Sequence, residues 1–161
     1  MNEARRQARS NALAAAISPD LGPDLASDTQ SARLHALLEV AYLTAAADDH
    51  LHEKEIEHLV ANLQTWLQAK LEPAFLVDLF DHLGKQLAAE GFQARLKAVA
   101  AQLDAGTRRL AYKLACLTAL CDYEVHDDEL KILGGIADAF GIAAADAQAT
   151  FDDLDAMIAA L

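Results

Sequence analysis

Apolar residues recur at helical spacing along most of the chain, and Pro, Gly and Asx residues punctuate the pattern. A first helix is predicted over about 3–16. The segment Ser18–Thr29 (SPDLGPDLASDT) holds two of the three prolines and reads as a loop. A second helix runs from about Gln30 to Ala47, with Leu34, Leu37, Leu38 and Ala41 on one face. A third begins at His52 or Glu53 and ends near Leu67, its stripe continuing through Leu59, Leu63 and either Trp66 or Leu67. Pro73 suits the first turn of a short fourth helix that Gly84 closes. A fifth covers 85–103 with a possible break at Gly91. A sixth spans Thr107–Cys121 and a seventh Asp127–Phe140, with Gly141 as its C-terminal cap. The last covers about 144–160.

Composition sharpens the fold class. Of 161 residues, 36 are Ala and 26 are Leu, whereas Val, Ile and Thr together number 17. Folds built on β-sheets draw on β-branched residues, so this ratio points to an all-α chain. The length is that of one domain. The expected division is an N-terminal helix and Pro/Asp-rich loop over 1–29, followed by a helical domain over 30–161.

An internal repeat adds organisation. At an offset of 74, VAYLTAAADDHLHEKEIEHL (Val40–Leu59) aligns without a gap to LACLTALCDYEVHDDELKIL (Leu114–Leu133), with eight of 20 positions identical. Matches of Ala and Leu are cheap in this composition. Those at Asp48/Asp122, His52/His126 and Glu55/Glu129 are not. Each copy reads as helix, acidic turn, helix. The expected architecture is a single domain of about seven to eight helices built from two such halves.

Charge narrows the function. The net charge is −12, which disfavours nucleic acid as a partner because phosphate binding needs clustered Lys and Arg. From Leu114 to Leu161 there are ten acids and one base, Lys131. That half suits cations or basic partners. Arg5, Arg6 and Arg9 offset Glu3 at the N-terminus; they and Arg108–Arg109 read as solvated charges. No apolar run has the ~18–20 residues of a membrane span, and direct membrane insertion is not expected. The expected location is cytoplasmic. Cys116 and Cys121 point ~140° apart on one helix, so two buried thiols are expected rather than a disulfide.

The acidic turns carry the candidate chemistry. Asp48, Asp49 and Glu55 in the first copy, with Asp122, Glu124 and Glu129 in the second, offer oxygen ligands to Ca²⁺ or Mg²⁺. Asp127 and Asp128 lie nearby. An EF-hand is excluded, because the twelfth position from Asp48 is Leu59 and from Asp122 is Leu133. The competing reading is structural: His52-x-x-Glu55 and His126-x-x-Glu129 stand where capping boxes would. Zinc fits less well. HLHEKEIEH lacks the H-E-x-x-H pattern, since the second His falls at Ile56. Serines occur at Ser10, Ser18, Ser27 and Ser31 alone, which leaves little for a Ser-His-Asp triad. Cys121 has no adjacent Lys or Arg to activate it. Gly134-Gly135 lies inside a predicted helix and marks close packing rather than a phosphate loop.

With both turns in view, the chain resembles the TerB-like family of tellurite-resistance proteins. The family carries stretches like A-D-G-x-[IV]-x-x-x-E-x-x-x-L, and the first counterpart here is Ala47-Asp48-Asp49-His50-Leu51 with Glu55 and Leu59. The second is Cys121-Asp122-Tyr123-Glu124-Val125 with Glu129 and Leu133. The tail Ile136–Asp146 (IADAFGIAAAD) is similar to the family's I-A-x-x-L-G-L-S ending. The turn glycine is replaced by Asp49 and Tyr123, and Tyr123 is costly if that position needs φ > 0. The resemblance implies an all-α fold, a stress-related role without known catalysis, an acidic cation site, and a membrane-protein partner of the TerC type. Two other classes stand beside it. One is a helical protein-interaction module whose acids only cap helices. The other is a metal-dependent hydrolase using Asp48, His50, His52 and Glu55.

Overall fold

The structure, a computed structural model, describes residues 3–21, 32–46, 51–67, 71–121 and 127–161. Asp48, Asp49, His50, Asp122, Tyr123, Glu124 and the expected cap residue His126, with the loop from 22 to 29, lie outside the described residues. The described residues form α1 (Glu3–Ile17), a 3₁₀ turn (Ser18–Asp20), α2 (Ala32–Ala45), α3 (Glu53–Trp66) and α4 (Pro73–Glu90). These are followed by α5 (Phe92–Ala101), α6 (Ala105–Cys121), α7 (Asp127–Ala139) and α8 (Ala144–Ala159). No strand occurs among them, so the chain is all-α.

Helices α2 and α6 form the centre. Residues Ala36–Thr44 are buried without interruption, as are Leu114–Cys121. Helices buried on all sides need small residues wherever neighbours press close. Ala41, Ala111 and Ala115 fill that role and are fully buried. The two helices pack directly on each other, in the most extensive helix–helix contact of the fold. Around them lie amphipathic helices. α3 buries Leu59, Val60, Leu63 and Trp66 and presents Glu53 and Glu57 to solvent.

Burying a charge on α2 requires a partner. Glu39 sits inside an apolar run, and Arg95 of α5 meets it with a bidentate pair, Nε to Oε2 and Nη2 to Oε1, both at 2.8 Å. Glu90 adds a third carboxylate contact at 3.3 Å. The surrounding carboxylates hold Arg95 firmly protonated, its pKa raised first by the Glu39 hydrogen bond against the opposing cost of burial.

The fourth helix is not short. Gly84 leaves it intact, and it runs on to Gly91, whose φ of 88° suits a residue without Cβ. Gly84 serves packing instead: a Cβ there would stand 2.9 Å from the Tyr42 hydroxyl oxygen. Gly141 ends α7 as expected, with φ 69°. The Ile142 N–H donates to the Ala137 carbonyl and the Gly141 N–H to that of Asp138, which satisfies the helix end.

The N-terminal helix shares this core. α1 packs on α3, α6 and α8, with Leu13 and Ile17 fully buried. The Trp66 indole donates to the Ser10 carbonyl at 3.1 Å. Of the arginines expected to be solvated, Arg109 is exposed, whereas Arg9 and Arg108 are engaged, because helix ends leave carbonyls that need donors. Arg9 donates to the Leu120 carbonyl at 2.7 Å. Arg108 donates to the carbonyls of Ala100 and Leu103 at the end of α5. Cys116 and Cys121 are both buried.

Candidate functional site

Two contacts fix the relation of the central helices. Arg33, in the first turn of α2, donates to the Thr107 hydroxyl in the first turn of α6 at 3.1 Å. At the other end, Ala45 of α2 and Thr118 of α6 line one crevice of about 60 Å³. The N-terminal ends are therefore together and the C-terminal ends together, so α2 and α6 run in the same direction. Both helices finish at that common end, α2 at Ala45 and α6 at Cys121. The re-entrant helices α3 and α7 begin at Glu53 and Asp127, themselves 74 residues apart.

The common end is electronegative before any side chain is counted. Each helix C-terminus carries roughly half an elementary negative charge in its unpaired carbonyls. Thr44 and Thr118 hold similar local roles there. Each hydroxyl donates to the carbonyl four residues earlier, Val40 at 2.8 Å and Leu114 at 2.9 Å. A hydroxyl that donates to the backbone still has oxygen lone pairs to offer. Thr118 is 8% exposed and lines the crevice with Leu51, Glu55, His58 and Asn62.

Glu55 has a second duty. It is the third residue of α3, and its Oε1 accepts from the His52 backbone N–H at 3.3 Å, the returning half of a capping box. His52 Nε2 stands 4.0 Å from the same oxygen. Glu55 is exposed, so its other oxygen remains open to solvent. Glu129, the equivalent residue of α7, is half-buried.

Sequence reasoning gave no part to α1 at this end of the bundle. Arg6 Nη1 lies 2.7 Å from His58 Nδ1. A guanidinium can only donate, so Nδ1 accepts and the imidazole proton sits on Nε2. That leaves His58 no lone pair for a metal while the bond stands. Arg9 on the Leu120 carbonyl, close to the end of α6, is a second cation nearby. Nothing in the sequence signals either contact, since the partners lie 52 and 111 residues away.

The described part of the site is thus an oxygen-lined crevice with one exposed carboxylate and two flanking arginines. Among the described residues, no three His, Cys, Asp or Glu side chains cluster closely enough to hold a metal ion. A cation there would need the carboxylates of the two turns, Asp48 and Asp49 with Asp122 and Glu124. The oxygen donors that are placed, from Glu55, Thr118 and Asn62, fit a hard cation better than zinc. Elsewhere, burial pushes the Cys116 thiol up to about 12, so it is held as an inert thiol. No described helix is long and apolar enough to cross a membrane.

Comparison with known proteins places the chain. No curated protein and no solved structure matches it. The profile of the family described as tellurite resistance protein TerB matches residues 30–151, the stretch from just before α2 into α8. That match takes in both central helices and both acidic turns, and the chain belongs to the TerB family of tellurite-resistance proteins.

Proposed function

We propose that this TerB-family chain is a non-enzymatic stress protein that binds a divalent cation, Ca²⁺ or Mg²⁺. The site is the end of the bundle where the two acidic turns leave α2 and α6. The observation that carries the reading is the parallel course of these helices, with Ala45 and Thr118 on one crevice. Parallel helices bring two negative helix ends together, and the sequence adds Asp48, Asp49, Asp122 and Glu124 immediately beyond them. Glu55 and Glu129 stand in the first turns of the returning helices. When bound, the cation supplies positive charge that relieves repulsion among these groups. Arg6 and Arg9 supply part of that relief without it. The same acidic end suits a basic surface of a protein partner, and a membrane protein of the TerC type is the partner this reading takes from the family.

Thermal melting tests it. At a Ca²⁺ concentration 100 times Kd, the stabilisation should be about 2.7 kcal/mol. Asp48→Asn with Asp122→Asn should remove the shift and leave the fold intact. Melting curves unchanged by millimolar Ca²⁺ and Mg²⁺ would refute it.

A second reading has one observation in its favour. Glu55 already accepts a capping hydrogen bond, as it would in an interaction module whose acids are purely structural. That reading predicts a loss of stability from Glu55→Ala in EDTA and no response to any cation.

A further inference from the structure

A second surface lies away from the acidic turns. α7 and α8 diverge over α6 and leave a groove of about 430 Å³. On α7, Leu130, Gly134 and Ala137 follow one another at helical spacing along one wall; Phe151 stands on the α8 wall. Leu130 is 45% exposed, a large apolar side chain with no cover. Gly134 and Gly135 do not mark the close packing expected from the sequence, since a Cβ at either meets nothing within 4 Å; Gly134 instead forms a notch in the groove wall. The groove is therefore open where a neighbouring side chain could seat.

The rim is acidic. Asp138 lines the groove, one turn after Gly134. Gln148, also a lining residue, donates to Asp152 Oδ1 at 2.8 Å, which sets that carboxylate at the edge. Asp155 lies one turn beyond Phe151 on the same face of α8. All three carboxylates are exposed. Lys131 is the one base between Leu114 and Leu161. A second copy of this chain would bring the same acids against each other, so the rim charge disfavours self-association. Anionic lipid headgroups are disfavoured for the same reason.

We propose that the α7–α8 groove docks a basic amphipathic helix of a partner protein. Its aliphatic side chains fill the Leu130–Gly134–Phe151 trough, and its Lys or Arg residues meet Asp138, Asp152 and Asp155. This is recognition of a helix in a groove, with apolar anchors at i, i+3, i+4 and i+7. It is independent of the cation site and operates with that site empty.

The test uses two synthetic helical peptides with identical Leu faces, one carrying Lys on its polar face and the other Glu. Each is titrated into the full chain in EDTA at physiological salt. Fluorescence anisotropy gives affinity, and amide NMR shifts give the location. The Lys peptide should bind at least tenfold tighter, with shifts centred on Leu130, Gly134 and Phe151. Gly134→Leu, which fills the notch, should weaken it at least tenfold while the melting temperature holds or rises. Asp138→Lys with Asp152→Lys should reverse the peptide preference, and decides the matter if the glycine variant folds poorly. Equal binding of both peptides, shifts centred elsewhere, or indifference to these substitutions would overturn the proposal. So would a dimer in sedimentation that Gly134→Leu dissolves, because the occupant would then be a second copy.

Discussion

Removing Arg95 should be among the most damaging single changes in this protein. Its guanidinium makes two 2.8 Å hydrogen bonds to Glu39, and the two side chains are 11% and 7% exposed. Arg95→Met keeps much of the side-chain volume and deletes the charge. Glu39 then stands in the core of α2 with no counter-ion. Breaking a buried pair from one side costs about 3–5 kcal/mol. For a chain of this size, each kcal/mol corresponds to about 2–4 °C in Tm, so the midpoint should fall by roughly 6–20 °C. The double variant Glu39→Leu/Arg95→Met removes both charges. It should recover most of the loss, since an apolar replacement of a whole buried pair is often neutral or stabilising by about 1–4 kcal/mol. Urea and thermal denaturation of the four proteins close a double-mutant cycle. A cost below about 1 kcal/mol for Arg95→Met, or a double variant as unstable as the sum of the singles, would show that the pair behaves as a surface ion pair.

Three further outcomes are expected. Glu55→Ala in EDTA should cost about 0.5–2 kcal/mol, the range for a lost helix cap; identical urea midpoints would show that its contact with His52 contributes nothing. Gly84→Ala should destabilise despite its better helix propensity, because the new Cβ meets the Tyr42 hydroxyl oxygen at 2.9 Å; rescue by Tyr42→Phe in chemical denaturation checks the cause, and a stabilised Gly84→Ala refutes it. Burial raises the Cys116 pKa from 9.0 to about 12, so its stability contribution is whole below pH 9 and falls as pH rises towards 12. Cys116→Ala should flatten the decline between about pH 9 and 10, before the tyrosines titrate; an unchanged alkaline profile in equilibrium unfolding would contradict this.

Much of the helical order was legible because local signals dominate it. Pro73 opened α4, Gly141 closed α7, and the apolar spacing of α3 located its buried face. Gly84 misled for a physical reason. Glycine marks either a helix end or a close contact, and only the position of Tyr42, 42 residues earlier, decides between them. The burial of α2 on all sides was hidden similarly, since one apolar face was enough to predict a helix. Glu39 within LLEVAYL hinted at a buried charge, but nothing local identified Arg95 as its partner. At the candidate site, the acids and the capping role of Glu55 were readable from spacing. The engagement of Arg6 with His58 and of Arg9 with Leu120 was not, because both depend on how α1 docks. The parallel course of α2 and α6 is likewise a tertiary fact, with the 74-residue offset of Arg33 and Thr107 as its first trace.

The central claim is that two acidic turns act at one end of the bundle on one divalent cation. Isothermal titration of the EDTA-stripped chain with Ca²⁺, and then with Mg²⁺, tests it most directly through the stoichiometry. The account predicts one cation per chain, with binding lost in Asp48→Asn alone and in Asp122→Asn alone, because both turns serve the same ion. Two independent cations, each abolished by only one of these substitutions, would contradict the shared site, and no binding of either cation would contradict the function.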